Sequence, residues 1–119
     1  MTQVTTLVFD LGGVLIDWNP RYLYRRLLPD EAAVERFLTE VCPHAWNQEM
    51  DAGKPIAQGV AERVAMFPEH EALIREYYTH WDLMNPSAIV ETVAILERLI
   101  ALGRPCYALS NWSAETFAM

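Results

Sequence analysis

Two short apolar stretches flank a long region in which apolar residues recur at helical spacing. Residues 4–9, VTTLVF, are apolar or β-branched, and this pattern predicts a short strand that is buried on both faces. Residues 105–109, PCYAL, predict a second strand, which ends at Ser110 and Asn111. Residues 19–84 are predicted to be helical. The chain is therefore expected to combine two strands with a block of helices.

Proline and capping residues divide this block into helices. Asn19 and Pro20 predict the start of the first helix, because Asn can cap a helix and Pro fits its first turn. The stretch RYLYRRLL follows and ends before Pro29. Asp30 is predicted to cap the second helix, which ends at Pro43. The apolar positions of this second helix have helical spacing, at Val34, Phe37, Leu38 and Val41.

The second half of the block follows the same logic. Residues 43–54, PHAWNQEMDAGK, are predicted to form a loop that is anchored by Trp46. Pro55 begins a third helix and Pro68 ends it. Residues 69–81, EHEALIREYYTHW, predict a fourth helix with one apolar side, formed by Leu73, Ile74, Tyr77, Tyr78 and Trp81.

A long helix is predicted to follow the block. Asn85 and Pro86 repeat the start signal of the first helix, and the helix is expected to run through Leu102 and to stop at Gly103. Its apolar stripe consists of Ile89, Val93, Leu96 and Ile100. The order is strand, helical block, long helix, strand. This order predicts a parallel α/β sheet with an inserted helical block.

The predicted strand ends carry the first candidate chemistry. Asp10 follows the first strand and Ser110 follows the second. Since ligands bind at the carboxyl ends of the strands in open parallel sheets, we expect these two side chains to lie side by side at a site. Gly12 and Gly13 allow a tight turn, or a close approach of the backbone to a ligand, directly after Asp10.

Composition narrows the class of protein. The chain has 119 residues, of which 52% are hydrophobic, and this is enough apolar material for a core. The formal net charge of −7 argues against a nucleic-acid surface, although a locally positive site for a small anion remains compatible with it. Cys42 and Cys106 lack metal-ligand spacing and are expected to be reduced thiols. Without a signal-peptide pattern or a long apolar run, the chain is predicted to be cytoplasmic, with no membrane partner.

The two strand ends resemble motifs I and II of the haloacid dehalogenase (HAD) superfamily of hydrolases. VFDLGGVL matches motif I, ALSNWS matches motif II, and the helical block resembles the inserted α-helical cap of that superfamily. The resemblance implies a Rossmann-like parallel-sheet core, incomplete here, at residues 1–17 and 85–119, and a helical cap at residues 18–84. The DLGxV form of motif I is similar to a sugar-phosphatase-like branch, whereas 2-haloacid dehalogenases tend to carry an aromatic residue at the position of Gly12.

The resemblance implies a specific chemistry. Asp10 would be the nucleophile and would form a covalent aspartyl intermediate with a small phosphorylated metabolite, such as a sugar phosphate. Mg²⁺ would be held by the Asp10 carboxylate and the backbone carbonyl of Gly12. Ser110 and the backbone N–H groups around Leu11 and Asn111 would bind the transferring phosphoryl group.

Gly12 is a departure from the family pattern. Most phosphatases of the superfamily carry a second Asp there, which protonates the leaving oxygen and later activates water. Asp17, near the turn into the cap, is a candidate replacement, and equally a hinge or a solvent contact. His44 and Glu49 in the predicted cap loop are further candidates for the general acid.

The cap loop also offers candidate substrate contacts. A cap that closes over a site excludes water and selects the substrate. Trp46, Glu49 and Asp51 are therefore candidate contacts, and the alternative for Asp51-Ala52-Gly53 is a plain structural turn.

Family members also need a Lys and a further acidic motif downstream of motif II. We therefore expect these residues to be the N-terminal part of a longer protein, with little or no activity alone. One alternative is a 2-haloacid dehalogenase, in which Asp10 attacks carbon without a metal, because halide leaves without an acid at position 12. Another alternative is a non-catalytic binding remnant of the fold.

Overall fold

The computed structural model describes residues 3–119 and divides them by their contacts into two units. Residues 3–18 and 85–110 form the first, called here the α/β unit, and residues 19–84 and 111–119 form the second, the helical unit. The chain is mixed α/β and mostly helical, with a parallel sheet of two strands among the described residues. No helix within residues 3–119 is long and apolar enough to cross a membrane.

The α/β unit consists of four short strands and one helix. They are β1 (Leu7–Phe9), β2 (Ile16–Asp17), β3 (Ser87–Ala88), α6 (Val90–Ala101) and β4 (Cys106–Ala108). β1 pairs in parallel with β4, so that Leu7 lies opposite Cys106 and Phe9 lies opposite Ala108. This confirms the predicted parallel pairing of the two apolar strands across a helical connection. β2 and β3 form a separate antiparallel pair.

The first strand differs from the prediction in length and burial. The expected strand over residues 4–9 is reduced to β1, and burial on both faces is wrong, because Val8 is 59% exposed and its neighbour Tyr107 on β4 is 62% exposed. The physical reason is the small size of the sheet. Within the described residues β1 pairs only with β4, and α6 lies next to β4. One face of the pair is left to solvent.

The long helix also begins later than predicted. Asn85 and Pro86 do not start it, because Ser87 and Ala88 pair with β2 and the helix begins only at Val90. Its end is as predicted: Gly103 has a φ of +75°, and its N–H donates to the carbonyl of Ile100 at 2.9 Å.

The helical unit contains α1 (Arg21–Leu27), α2 (Glu31–Arg36), α3 (His44–Asp51), α4 (Ile56–Met66), α5 (Glu71–Thr79) and α7 (Ala114–Phe117). A π-helical turn at Phe37–Val41 continues α2, and 3₁₀ turns cover Pro68–His70 and Trp81–Met84. The helix N-caps predicted at Asn19 and Asp30 are confirmed. Asn19 Oδ1 accepts from the N–H of Arg21 at 3.0 Å, and Asp30 Oδ1 accepts from the N–H of Ala33 at 2.8 Å.

The predicted loop over residues 43–54 is wrong for most of its length. Residues His44–Asp51 form α3, and only the following turn is irregular, with Gly53 at a φ of +113°. Trp46 and Met50 lie four residues apart and are both buried, so they form the apolar stripe of a short helix. His44, Gln48 and Glu49 are exposed, and the polar majority of this stretch made its short apolar stripe hard to recognise from sequence.

The core of the helical unit is aromatic, and two of its polar side-chain atoms donate hydrogen bonds to backbone carbonyls. The ring contacts involve Tyr24, Phe37, Trp46, Tyr77, Tyr78 and Trp81. Tyr24 donates its hydroxyl to the carbonyl of Leu73 at 2.8 Å, and Trp46 Nε1 donates to the carbonyl of Gly59 at 3.2 Å. Burial raises the pKa of the Tyr24 and Tyr77 hydroxyls well above the ordinary value. These tyrosines therefore remain neutral packing residues.

Candidate functional site

Asp10 and Ser110 follow the two strands of the parallel pair. Asp10 comes directly after β1, and the N–H of Leu109 donates to the carbonyl of Phe9 at 2.8 Å, so the pairing extends one residue beyond β4. Ser110 is the next residue along the chain. Since the two strands run in the same direction, the register brings both residues to one end of the sheet, as the sequence predicts. Asp10 is exposed and Ser110 is partly exposed.

A tight turn holds the backbone that follows Asp10. The carbonyl of Leu11 accepts from the N–H groups of Val14, Leu15 and Ile16 at 3.1, 2.9 and 2.9 Å. Gly13 has a φ of +75°, which a residue with a side chain adopts only with strain, and its N–H donates to the carbonyl of Ile16 at 2.8 Å. The turn therefore requires the second of the two glycines for its conformation.

The Asp10 carboxylate accepts a hydrogen bond from the turn that directly follows it. Its Oδ1 accepts a hydrogen bond from the N–H of Leu11 at 2.8 Å. The resemblance assigns that N–H to a bound phosphoryl group, so in the structure the carboxylate occupies the donor that a phosphate oxygen would need. A ligand oxygen at this N–H would compete with the Asp10 carboxylate for the hydrogen bond.

The oxygen donors at this turn are of the type that Mg²⁺ prefers. Magnesium is commonly held by one or two carboxylates, with waters and substrate phosphate completing six ligands. The Asp10 carboxylate and the Gly12 carbonyl are suitable donors, and none of the turn hydrogen bonds described above uses the carbonyl of Gly12. Within residues 3–119, no group of three or more His, Cys, Asp or Glu side chains is arranged to hold a metal ion. Asp10 and Gly12 could thus supply part of a magnesium site.

The three candidates for the general acid lie in different units. Asp17 ends β2 and pairs with Ser87, so it belongs to the same unit as Asp10. His44 is the first residue of α3, and Glu49 lies on the exposed side of the same helix, where its Oε1 is 3.4 Å from Nζ of Lys54. Both belong to the helical unit. Among the three, Asp17 alone is in the unit that carries the nucleophile candidate.

The other cap candidates have packing roles. Trp46 is only 3% exposed, and its indole N–H is already paired with the carbonyl of Gly59. Asp51 is partly buried at the end of α3, where Oδ1 accepts from the N–H of Ser113 and Oδ2 accepts from Asn47 Nδ2, both at 3.2 Å. Burial raises the pKa of Asp51, and the hydrogen bond from Ser113 and the nearby His44 oppose this shift.

Residues after Ser110 belong, by their contacts, to the helical unit. Asn111 is exposed, and the residue that caps α7 is Ser113, whose Oγ accepts from the N–H of Thr116 at 3.1 Å. Ser110 therefore does not cap this helix. Sequence reasoning did not single out Asn47, whose Oδ1 accepts from the buried Tyr78 hydroxyl at 2.7 Å. Its position four residues before Asp51 is the available signal.

Comparison of the chain with protein-family models, with curated proteins and with solved structures gives no match. The candidate site therefore depends on the residues themselves and on the geometry given above.

Proposed function

We propose that this chain belongs to a HAD-type, Mg²⁺-dependent phosphatase that acts on small phosphorylated metabolites such as sugar phosphates. The observation that carries the proposal is the placement of Asp10 and Ser110 after adjacent parallel strands, at one end of the pair. A carboxylate, a hydroxyl and a glycine-containing turn at such an edge match the needs of phosphoryl transfer, which are a nucleophile and donors for the phosphate oxygens.

In the proposed reaction an Asp10 carboxylate oxygen attacks phosphorus and the bond from phosphorus to the alcohol oxygen breaks. The alcohol leaves with a proton, for which Asp17 is the donor candidate in the same unit. Water then attacks the aspartyl phosphate, releases inorganic phosphate and restores the Asp10 carboxylate. Ser110 would donate its hydroxyl hydrogen bond to the phosphoryl group in both steps. Bound Mg²⁺, on Asp10 and the Gly12 carbonyl, would offset the negative charge of nucleophile and phosphate.

The test measures the release of inorganic phosphate from a panel of sugar phosphates. The protein is purified from its native source and is assayed once with Mg²⁺ and once with EDTA. Release should require Mg²⁺ and should be lost in the Asp10→Asn variant. The matched control is Asp82→Asn, which removes an exposed carboxylate in the helical unit and should leave the rate unchanged. Asp17→Asn should slow release most for substrates with a poor leaving group.

A second readout identifies the nucleophile. An acid-quenched reaction should trap phosphate on the peptide that contains Asp10, and hydroxylamine should remove it, because an acyl phosphate reacts with hydroxylamine and a phosphoserine does not. A stable phosphate on Ser110 would contradict the assigned roles.

Gly12 favours one alternative, the 2-haloacid dehalogenase. A glycine cannot protonate a leaving alcohol, whereas halide leaves without an acid. Here Asp10 would attack the halogen-bearing carbon, halide would leave, and water would cleave the resulting ester. Halide release from 2-chloropropionate in EDTA, with no phosphate release, would replace the phosphatase proposal. Absence of both activities would favour a non-catalytic binding role.

A further inference from the structure

Residues Asn111–Met119, called here the strap, lie on the helical unit as a short segment with its own capped helix. The Oγ of Ser113 accepts from the N–H of Thr116 at 3.1 Å and begins α7, which has four residues. A helix this short is not stable in isolation, because nucleation costs more than one turn returns. The order of the strap therefore depends on the surface beneath it.

The first contact joins the strap to the end of α3. The N–H of Ser113 donates to Oδ1 of Asp51 at 3.2 Å. The other oxygen of Asp51 accepts from Asn47 Nδ2 at 3.2 Å, and Asn47 in turn accepts from the Tyr78 hydroxyl at 2.7 Å. The buried side chain of Asn47 thus holds the Asp51 carboxylate in place. Asp51 in turn positions the beginning of the strap through its hydrogen bond from Ser113.

The second contact joins the strap to the start of α4. Oε1 of Glu115 accepts from the N–H of Ile56 at 3.0 Å. Ile56 is the first residue of α4, and its N–H has no acceptor within that helix. Pro55 precedes it and offers no capping side chain. Glu115 therefore caps α4 from another part of the chain, and its negative charge suits the positive end of the helix.

The apolar contribution to this docking comes mainly from one half-buried side chain, Trp112. The edge of the Trp112 ring meets Trp81 at 6.1 Å between centroids, but Phe117 and Met119 are 67% and 68% exposed. The strap residues that are buried are the small and polar Ser113 and Thr116. Since burial of apolar area is the main term that resists opening, release of the strap should cost far less than unfolding of the aromatic core.

We propose that the strap opens and closes over the corner between α3 and α4 as one cooperative unit, while the helices beneath it remain folded. Asp51 and Glu115 are its two latches. Opening exposes the Asp51 carboxylate and the first N–H of α4 together, so the corner alternates between a covered and an uncovered state.

Amide hydrogen exchange measured by NMR tests this directly. The N–H groups of Ser113 and Ile56 report the two latches, and those of Tyr77 and Tyr78 on α5 report the core. We expect the latch amides to exchange at least about tenfold faster than the core amides, with little dependence on denaturant. Glu115→Ala should speed exchange of the Ser113 amide, which it does not touch, by about two- to tenfold.

Matched variants separate an opening strap from general destabilisation. Glu115→Gln keeps an acceptor oxygen and should have a smaller effect than Glu115→Ala, and Asp51→Ala should speed the Ile56 amide in the reciprocal way. The ratio of latch to core rates corrects for any loss of global stability. Equal rates and equal denaturant dependence for latch and core amides would overturn the proposal. So would a Glu115→Ala effect that is confined to Ile56.

Discussion

Gly59 lies where α4 packs against α3, and its replacement by alanine tests how closely the two helices approach. A Cβ added at Gly59 would stand closer than 3.0 Å to Sδ of Met50, whose side chain is fully buried and has little room to move. Overpacking of this kind costs about 1–3 kcal/mol. Replacing Gly within a helix returns about 1 kcal/mol of intrinsic propensity. Gly59→Ala should therefore lower the free energy of unfolding by about 1 kcal/mol in total.

Urea denaturation, followed by tryptophan fluorescence, measures this loss as a lower midpoint at an unchanged slope. The control Ala61→Gly, at an exposed position of the same helix, should cost about 1 kcal/mol and calibrates the propensity term. Met50→Val removes the sulfur and the terminal methyl group. In the parent, Cγ of Met50 lies 3.5 Å from the position of the added Cβ, which is an ordinary contact distance. Gly59→Ala should therefore become neutral or stabilising in the Met50→Val background. A Gly59→Ala protein that is more stable than the parent would refute the close-approach argument.

Three further predictions concern a cap, a buried carboxyl group and the thiols. Asp30→Ala removes the acceptor for the N–H of Ala33 and should cost about 1 kcal/mol in urea denaturation, whereas Asp30→Asn should cost much less; equal losses would contradict the capping role. Burial raises the pKa of Asp51 above its ordinary value of 3.8, so the native state binds the extra proton between 3.8 and the raised pKa. The stability of the parent relative to Asp51→Asn should therefore fall as pH rises through that window, and a rise would contradict the sign. Cys42 is 1% exposed with its pKa raised by burial to about 12, so a maleimide should label only Cys106 in the native protein, and early labelling of Cys42 would count against this packing.

Local chemistry explains which helices could be predicted from sequence. Asn19 and Asp30 cap in the structure as their residue types require, and Gly103 ends α6 in the left-handed conformation that glycine favours. These signals act within three or four residues, so the sequence carries them in full. The parallel pairing of β1 and β4 was also predictable, because a helical connection between two apolar strands leaves few other arrangements.

The errors arose where tertiary contacts decide the outcome. Residues His44–Asp51 are mostly polar, and burial of Trp46 and Met50 against other helices stabilises the helix that they form. Ser87 and Ala88 follow a helix-start signal but pair with β2, whose position the local sequence does not encode. The register of the strap is of the same kind, since Glu115 caps a helix that begins 59 residues earlier.

The candidate site shows the same division between topology and local geometry. Topology brings Asp10 and Ser110 to one end of the strand pair, and the sequence order predicts this. The hydrogen bond from the N–H of Leu11 to Asp10 depends on one side-chain rotation, and no pattern predicts it. In the proposed reaction this bond has a consequence. A phosphate oxygen that takes the Leu11 N–H displaces the carboxylate, so the arrival of substrate and the release of the nucleophile would be the same event. The Leu11 N–H, which holds Asp10 before substrate binds, would then stabilise the negative charge on the phosphoryl oxygens while Asp10 attacks phosphorus.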